Sequence, residues 1–88
     1  MGYIIALTMV LLSSNSLSQA QSSLLESVKR NPKEAIALCS KFKALNAKGI
    51  SASSRESILS ISKKRNLSSI DAEILSMYVR GLHCPEVV

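Results

Sequence analysis

Cys84 stands beside Pro85 close to the end of the sequence, and its only counterpart, Cys39, lies near the middle. Two cysteines admit a single internal pairing. In an oxidising compartment, an even cysteine count in a small chain reads as a disulfide framework. Closing a loop of about 45 residues stabilises a fold by roughly 4 kcal/mol in the chain-entropy model. Such a bond between Cys39 and Cys84 would also pin a tail that otherwise frays. The opening of the chain bears on whether the compartment is oxidising.

The chain starts MGYIIALTMVLLSSNSLSQAQSS, apolar from Tyr3 to Leu12 and without a charged side chain before Glu26. A helix needs roughly 20 apolar residues to cross a bilayer, and this run is shorter. It suits the core of a secretory signal, and the small residues Ser18 and Ala20 satisfy the small-x-small rule of the signal peptidase. The expectation is residues 1–20 as signal peptide, cleaved after Ala20, and residues 21–88 as one small helical domain. The location expected on this reading is secreted or periplasmic. Only the amino terminus supplies positive charge ahead of the apolar run, so a start further upstream, an uncleaved tether and a buried N-terminal helix stay open. Cleavage would leave about 68 residues, whose core alone seldom supplies more than about 3–5 kcal/mol. A staple is what such a chain needs.

Four helices are legible beyond residue 20. Ser23-Leu24-Leu25-Glu26 reads as a capping box, with Val28 continuing the apolar face. Asn31-Pro32-Lys33-Glu34 repeats the logic, with Asn as cap and Pro at the first helical position, where its missing N–H costs nothing. Ala35, Leu38, Cys39, Phe42 and Leu45 then fall on one stripe, and Gly49 supplies the stop. Ser53-Ser54-Arg55-Glu56 opens a third helix carrying Ile58, Leu59 and Ile61, with Lys63-Lys64-Arg65 in the last turn and Asn66 ending it. Ser68-Ser69-Ile70-Asp71 opens a fourth. Its expected inward face is Ile70, Ile74, Met77 and Tyr78, backed by Leu75 and Val79, with Gly81 as stop and Leu82 folded back on Met77. The fold class expected is all-α: a small bundle of three to four short helices after the signal segment, closed by one disulfide.

The stretches KALNAKGISASSRESIL and NLSSIDAEILSMYV and the closing GLHCP, together with the helix cysteine, resemble a class of small exported bacterial helical domains of undefined function, best known from mycobacterial secreted proteins. In that class a helix cysteine is joined to a closing Cys-Pro, so the resemblance implies Cys39 and Cys84 as a structural bridge and no catalytic residues. The likeness runs from Ala35 to Pro85.

Chemistry-bearing constellations are sparse. A metal site using Cys39, His83 and Cys84 lacks a fourth ligand, and adjacent residues rarely aim at one ion. His83, the sole histidine, has no orienting partner for a Cys-His nucleophile pair. Glu26, Glu34, Glu56 and Asp71 sit at helix starts, where capping accounts for them; Glu73 reads as a solvated helix position and Glu86 as tail. The glycines form no phosphate-cradling loop, and a core this small leaves little room for a pocket of about 300 Å³. The expectation is a non-enzymatic protein without cofactor or metal.

The balance of charge is basic: eleven Lys and Arg against six Asp and Glu, a net +5. Lys29, Arg30 and Lys33, then Lys41, Lys43 and Lys48, then Lys63, Lys64 and Arg65 are the candidate residues for an anion-attracting surface. Nucleic acid is not the expected partner, because Phe42 and Tyr78 are expected inside rather than on a stacking face. Anionic lipid headgroups or cell-wall polymers fit better, through peripheral membrane contact. The plainer account is that helix surfaces carry charge and that cations suit helix ends. A third class is a protein–protein module: Ile36, Ile50 and Leu59 are surplus to so small a core, and their exposure would mark an interface. The sequence therefore points to an envelope protein that binds or builds, with an unknown protein or an anionic envelope component as partner.

Overall fold

The computed structural model describes residues 23–88; the expected leader, its cleavage after Ala20 and the start of the mature domain lie outside the described residues. Four helices follow one another: α1 over residues 23–30, α2 over Pro32–Ala47, α3 over Arg55–Arg65 and α4 over Ser69–His83. Helices α2 and α3 each pack against α4 and only marginally against one another. The Cys39 and Cys84 sulfurs are bonded at 2.06 Å, joining the middle of α2 to the residue that follows α4. The all-α, disulfide-closed bundle expected from the residues is the architecture found.

Local chemistry sets the boundaries. Helix α2 ends in a Schellman turn: Gly49 takes φ +79, its amide donates to the Asn46 carbonyl, and the Ile50 amide donates to that of Leu45, both at 2.9 Å. Helix α3 starts at Ser54, whose hydroxyl accepts from the Ser57 amide at 3.2 Å. That is one residue later than expected. The Ser53 hydroxyl is instead engaged with Ser51 Oγ at 2.9 Å. Asn66 closes α3 in the left-handed conformation, φ 54. Helix α4 starts as expected, with Ser68 accepting from the Asp71 amide at 3.1 Å.

Two expectations about caps are corrected. Asn31 begins α2, but its side chain makes no cap bond there. Its backbone N–H and its Nδ2 both donate backward to the Ser27 carbonyl, at 3.1 and 3.0 Å, closing α1 instead. Gly81 does not stop α4 either. The helix continues to His83, and Cys84 leaves it at φ −148, because Pro85 disfavours helical backbone in the residue before it.

The core is small and largely aliphatic. Val28 from α1, Ala35, Leu38, Cys39 and Phe42 from α2, Ile58 and Ile61 from α3, and Ala72, Leu75 and Val79 from α4 are all buried. Phe42, at 1 % exposure, is its one fully enclosed aromatic ring. The α4 contribution corrects the expected inward face. Ile70 and Met77 are exposed at 69 and 55 %, while Ala72, Leu75, Ser76 and Val79 turn inward. Ile74 and Tyr78 lie between, half-buried, and Leu82 is exposed rather than tucked under the helix end. Small side chains at 72 and 76 let α4 approach both neighbours closely, which bulky Ile70 and Met77 would not.

The tail is anchored more thoroughly than by sulfur alone. Val87 is buried, and the Ala52 amide donates to the Val88 carbonyl at 2.8 Å. The Asn46 side chain reads the same residue from both sides, its Nδ2 donating to the Val88 carbonyl at 2.7 Å and its Oδ1 accepting the Val88 amide at 2.9 Å. Lys43 adds an ion pair to Glu86 at 3.2 Å. Among the described residues, no helix is long and apolar enough to cross a membrane.

Candidate functional site

The backbones of α2 and α3 both lie closer to α4 than to each other, and a groove opens between them. Its volume is about 420 Å³, so the expectation that so small a core leaves little room for a pocket is corrected: the space lies between helices, not inside the core. Ala37, Leu38, Phe42 and Leu45 of α2 and Ile61 of α3 supply apolar lining, and Ser57 and Ser60 add hydroxyls. Lys41, Lys64 and Arg65 bring positive charge to its walls, with Glu34 and Glu56 opposing them. These residues share a groove because they occupy successive turns of two facing helices.

The charges are unevenly satisfied. Arg65 Nη1 donates to Glu34 Oε2 at 3.0 Å, a bridge from the last turn of α3 to the first turn of α2. Lys41 and Lys64 have no carboxylate within 4.0 Å among the described residues. They stand beside one another instead, and the neighbouring Lys64 ammonium, then burial and Arg65, hold the Lys41 pKa below the ordinary lysine value.

Of the nine cations singled out from the sequence, the structure brings Lys41, Lys64 and Arg65 together in the groove. Lys43 is paired with Glu86 at the tail. Arg30 lies 3.9 Å from Glu26 on the exposed side of α1. Lys29, Lys33, Lys48 and Lys63 are exposed and do not line the groove. Glu34 and Glu56, which now belong to the same surface, read in the sequence only as capping residues, and Ser57 and Ser60 carried no signal there. Their positions on α2 and α3 were legible, but which faces of two helices meet across a gap is not a local property.

The metal and nucleophile alternatives involving Cys39 and Cys84 lose their thiols, since both sulfurs are in the disulfide. His83 is exposed at the end of α4. Among the described residues no three His, Cys, Asp or Glu side chains gather to hold a metal. Ile36 and Leu59, expected to be surplus to the core, are exposed at 58 and 41 %, and Ile50 is half-buried. Neither Ile36 nor Leu59 lines the groove.

No curated protein and no solved structure matches the chain. A family model matches residues 25–84, a stretch that takes in both half-cystines, all of α2, α3 and α4 and most of α1. The chain therefore belongs to the family described as a domain of unknown function, DUF8664.

Proposed function

We propose that this protein is a small exported, non-enzymatic domain that works by binding in the cell envelope, and that its partner is an anionic envelope component. The observation that carries the reading is the basic wall of the α2–α3 groove, where Lys41 and Lys64 stand together without carboxylate partners. Positive charge gathered against that electrostatic cost suits a surface that meets negative charge. Export is supported by the apolar run at residues 3–12, by the small residues Ser18 and Ala20, and by a bond between cysteines that oxidising compartments favour. The sequence resemblance to exported, disulfide-closed helical domains of the mycobacterial secreted type belongs with this reading. Four of the six acids sit in first turns of helices, where dipole and capping account for them without catalysis.

Two measurements test it. Mass spectrometry of the protein recovered from the secreted or periplasmic fraction should find a chain beginning after Ala20, and a chain confined to the cytoplasm sinks the export half. Co-sedimentation of the oxidised protein with anionic vesicles or cell-wall polymer should show retention that salt reverses over the range where the screening length falls below about 10 Å. Failure of both supports to retain it at low salt sinks the anionic partner.

A further inference from the structure

The groove does more than display charge. A surface that needed only to meet a polyanion would place its lysines apart, on solvated helix faces, as Lys29, Lys33, Lys48 and Lys63 are placed. Lys41 and Lys64, though exposed too, share one groove with an apolar lining and the Glu56 carboxylate, and Arg65 beside them is already paired with Glu34. Like charges held close across two helices oppose the fold unless something negative comes between them. An inorganic anion would relieve that repulsion but leave exposed Ala37 and Ala44 and half-buried Leu45 in water. An anion carrying an apolar chain would relieve it and cover the lining too, gaining about 25 cal/mol for each Å² of apolar surface removed from water.

The dimensions favour a small ligand over a protein. A volume of about 420 Å³ lies within the range of small-molecule pockets, roughly 300–1,000 Å³. Stable protein interfaces use about 20–30 residues a side, more than this groove supplies. From Glu34 to Leu45 along α2 the lining runs about 16 Å at the helical rise, long enough for a chain of several methylenes to lie beside the helix.

We propose that the α2–α3 groove binds a single-chain amphiphile with an anionic head, a fatty-acid-type carboxylate, the head bridging Lys41 and Lys64 and the chain lying along Ala37, Ala44 and Leu45. This names the ligand class of the anionic partner proposed above and rests on that reading. It is distinct from adsorption to a bilayer, because the ligand enters as a monomer and the chain is covered by protein. The depressed Lys41 pKa fits a site whose charges await a counter-ion.

The test is a titration of the oxidised full chain, isotopically labelled, with sodium laurate below its micelle concentration, followed by amide NMR shifts. Saturable shifts at Ala37, Ala44 and Ser60 are expected. Charge reversal at either lysine, Lys41→Glu or Lys64→Glu, should weaken binding at least tenfold, while Arg55→Glu, an exposed reversal outside the groove, should change it less than twofold. Thermal melts of each variant check that the fold survives. Equal binding of dodecyltrimethylammonium, which has the chain but the opposite head, overturns the proposal. So does saturable binding of inorganic phosphate as tight as laurate, or laurate shifts centred on Ile70 and Met77 of α4. Shifts of the groove amides with protein concentration alone would assign the groove to a second copy, and their displacement by an acidic amphipathic helical peptide that outcompetes laurate would assign it to a protein; either overturns it. Retention on anionic vesicles with no monomeric laurate binding removes this proposal and leaves the envelope reading standing.

Discussion

Removing the disulfide is expected to cost this fold about half of its stability. The bond closes a loop of 45 residues, for which the chain-entropy relation gives about 4 kcal/mol at room temperature. A core this small supplies about 3–5 kcal/mol. Both half-cystines are buried, at 5 and 1 % exposure, so the replacement should be alanine at both positions, because serine would add buried hydroxyls to the same experiment. With a denaturant slope of about 1 kcal/mol per molar urea for a domain of this size, the midpoint should fall by about 4 M. The Cys39→Ala/Cys84→Ala protein should then keep only what the core supplies, and its helical circular dichroism should be lost at much lower urea than that of the native chain. Reduction of the native chain should reproduce the effect, once the reductant reaches the buried bond. The tail contacts through Val87, Asn46 and Glu86 argue against so large a loss, because they restrain the same segment without sulfur. If the alanine pair keeps its helical signal and its midpoint moves by less than about 1 M, those contacts hold the tail alone, and the reasoning from loop closure fails.

The remaining predictions are smaller. Leu75→Ala should destabilise by about 2–4 kcal/mol, whereas Met77→Ala on the outer face of α4 should stay within about 0.5 kcal/mol; equal effects in urea unfolding would mean α4 is rotated from the orientation described. Asn46→Ala removes both bonds to Val88 and one of 3.0 Å to the Ile50 carbonyl, so it should cost about 1 kcal/mol and speed amide exchange at Ala52 before that of the helices. Lys41→Gln should raise the melting temperature, since it relieves the repulsion from Lys64. Lys41 has a depressed pKa in the folded state, so the native protein holds fewer protons than the unfolded chain between the two values, and stability rises with pH in that alkaline window. Lys41→Gln should flatten that rise, and an unchanged profile would count against the contact. Glu86 gives a dependence of the same sign at acid pH. Its carboxylate is held below the usual range by its own backbone amide and then by Lys43, so its contribution is complete above the unfolded-state value and is lost as pH falls through the folded one. Glu86→Gln should remove that acid dependence from amide exchange at the tail.

What the residues themselves determined is mostly local or covalent. Pro32 at a first helical position, Ser68 as a cap, Gly49 and Asn66 as left-handed stops, and the stripe of Ala35, Leu38, Cys39 and Phe42 all follow from short-range stereochemistry and a clear apolar period. The cysteine pairing followed from there being only one to make. Tertiary structure decided the rest. Helix α4 carries Ile70, Ile74, Leu75, Met77, Tyr78, Val79 and Leu82 over an arc of about 200°, so periodicity alone could not choose its inward face. The choice fell to small Ala72 and Ser76, whose value lies in how closely two other helices approach them. The groove likewise belongs to no single segment: it exists because the backbones of α2 and α3 both lie closer to α4 than to each other, and Lys41 and Lys64 meet on its walls.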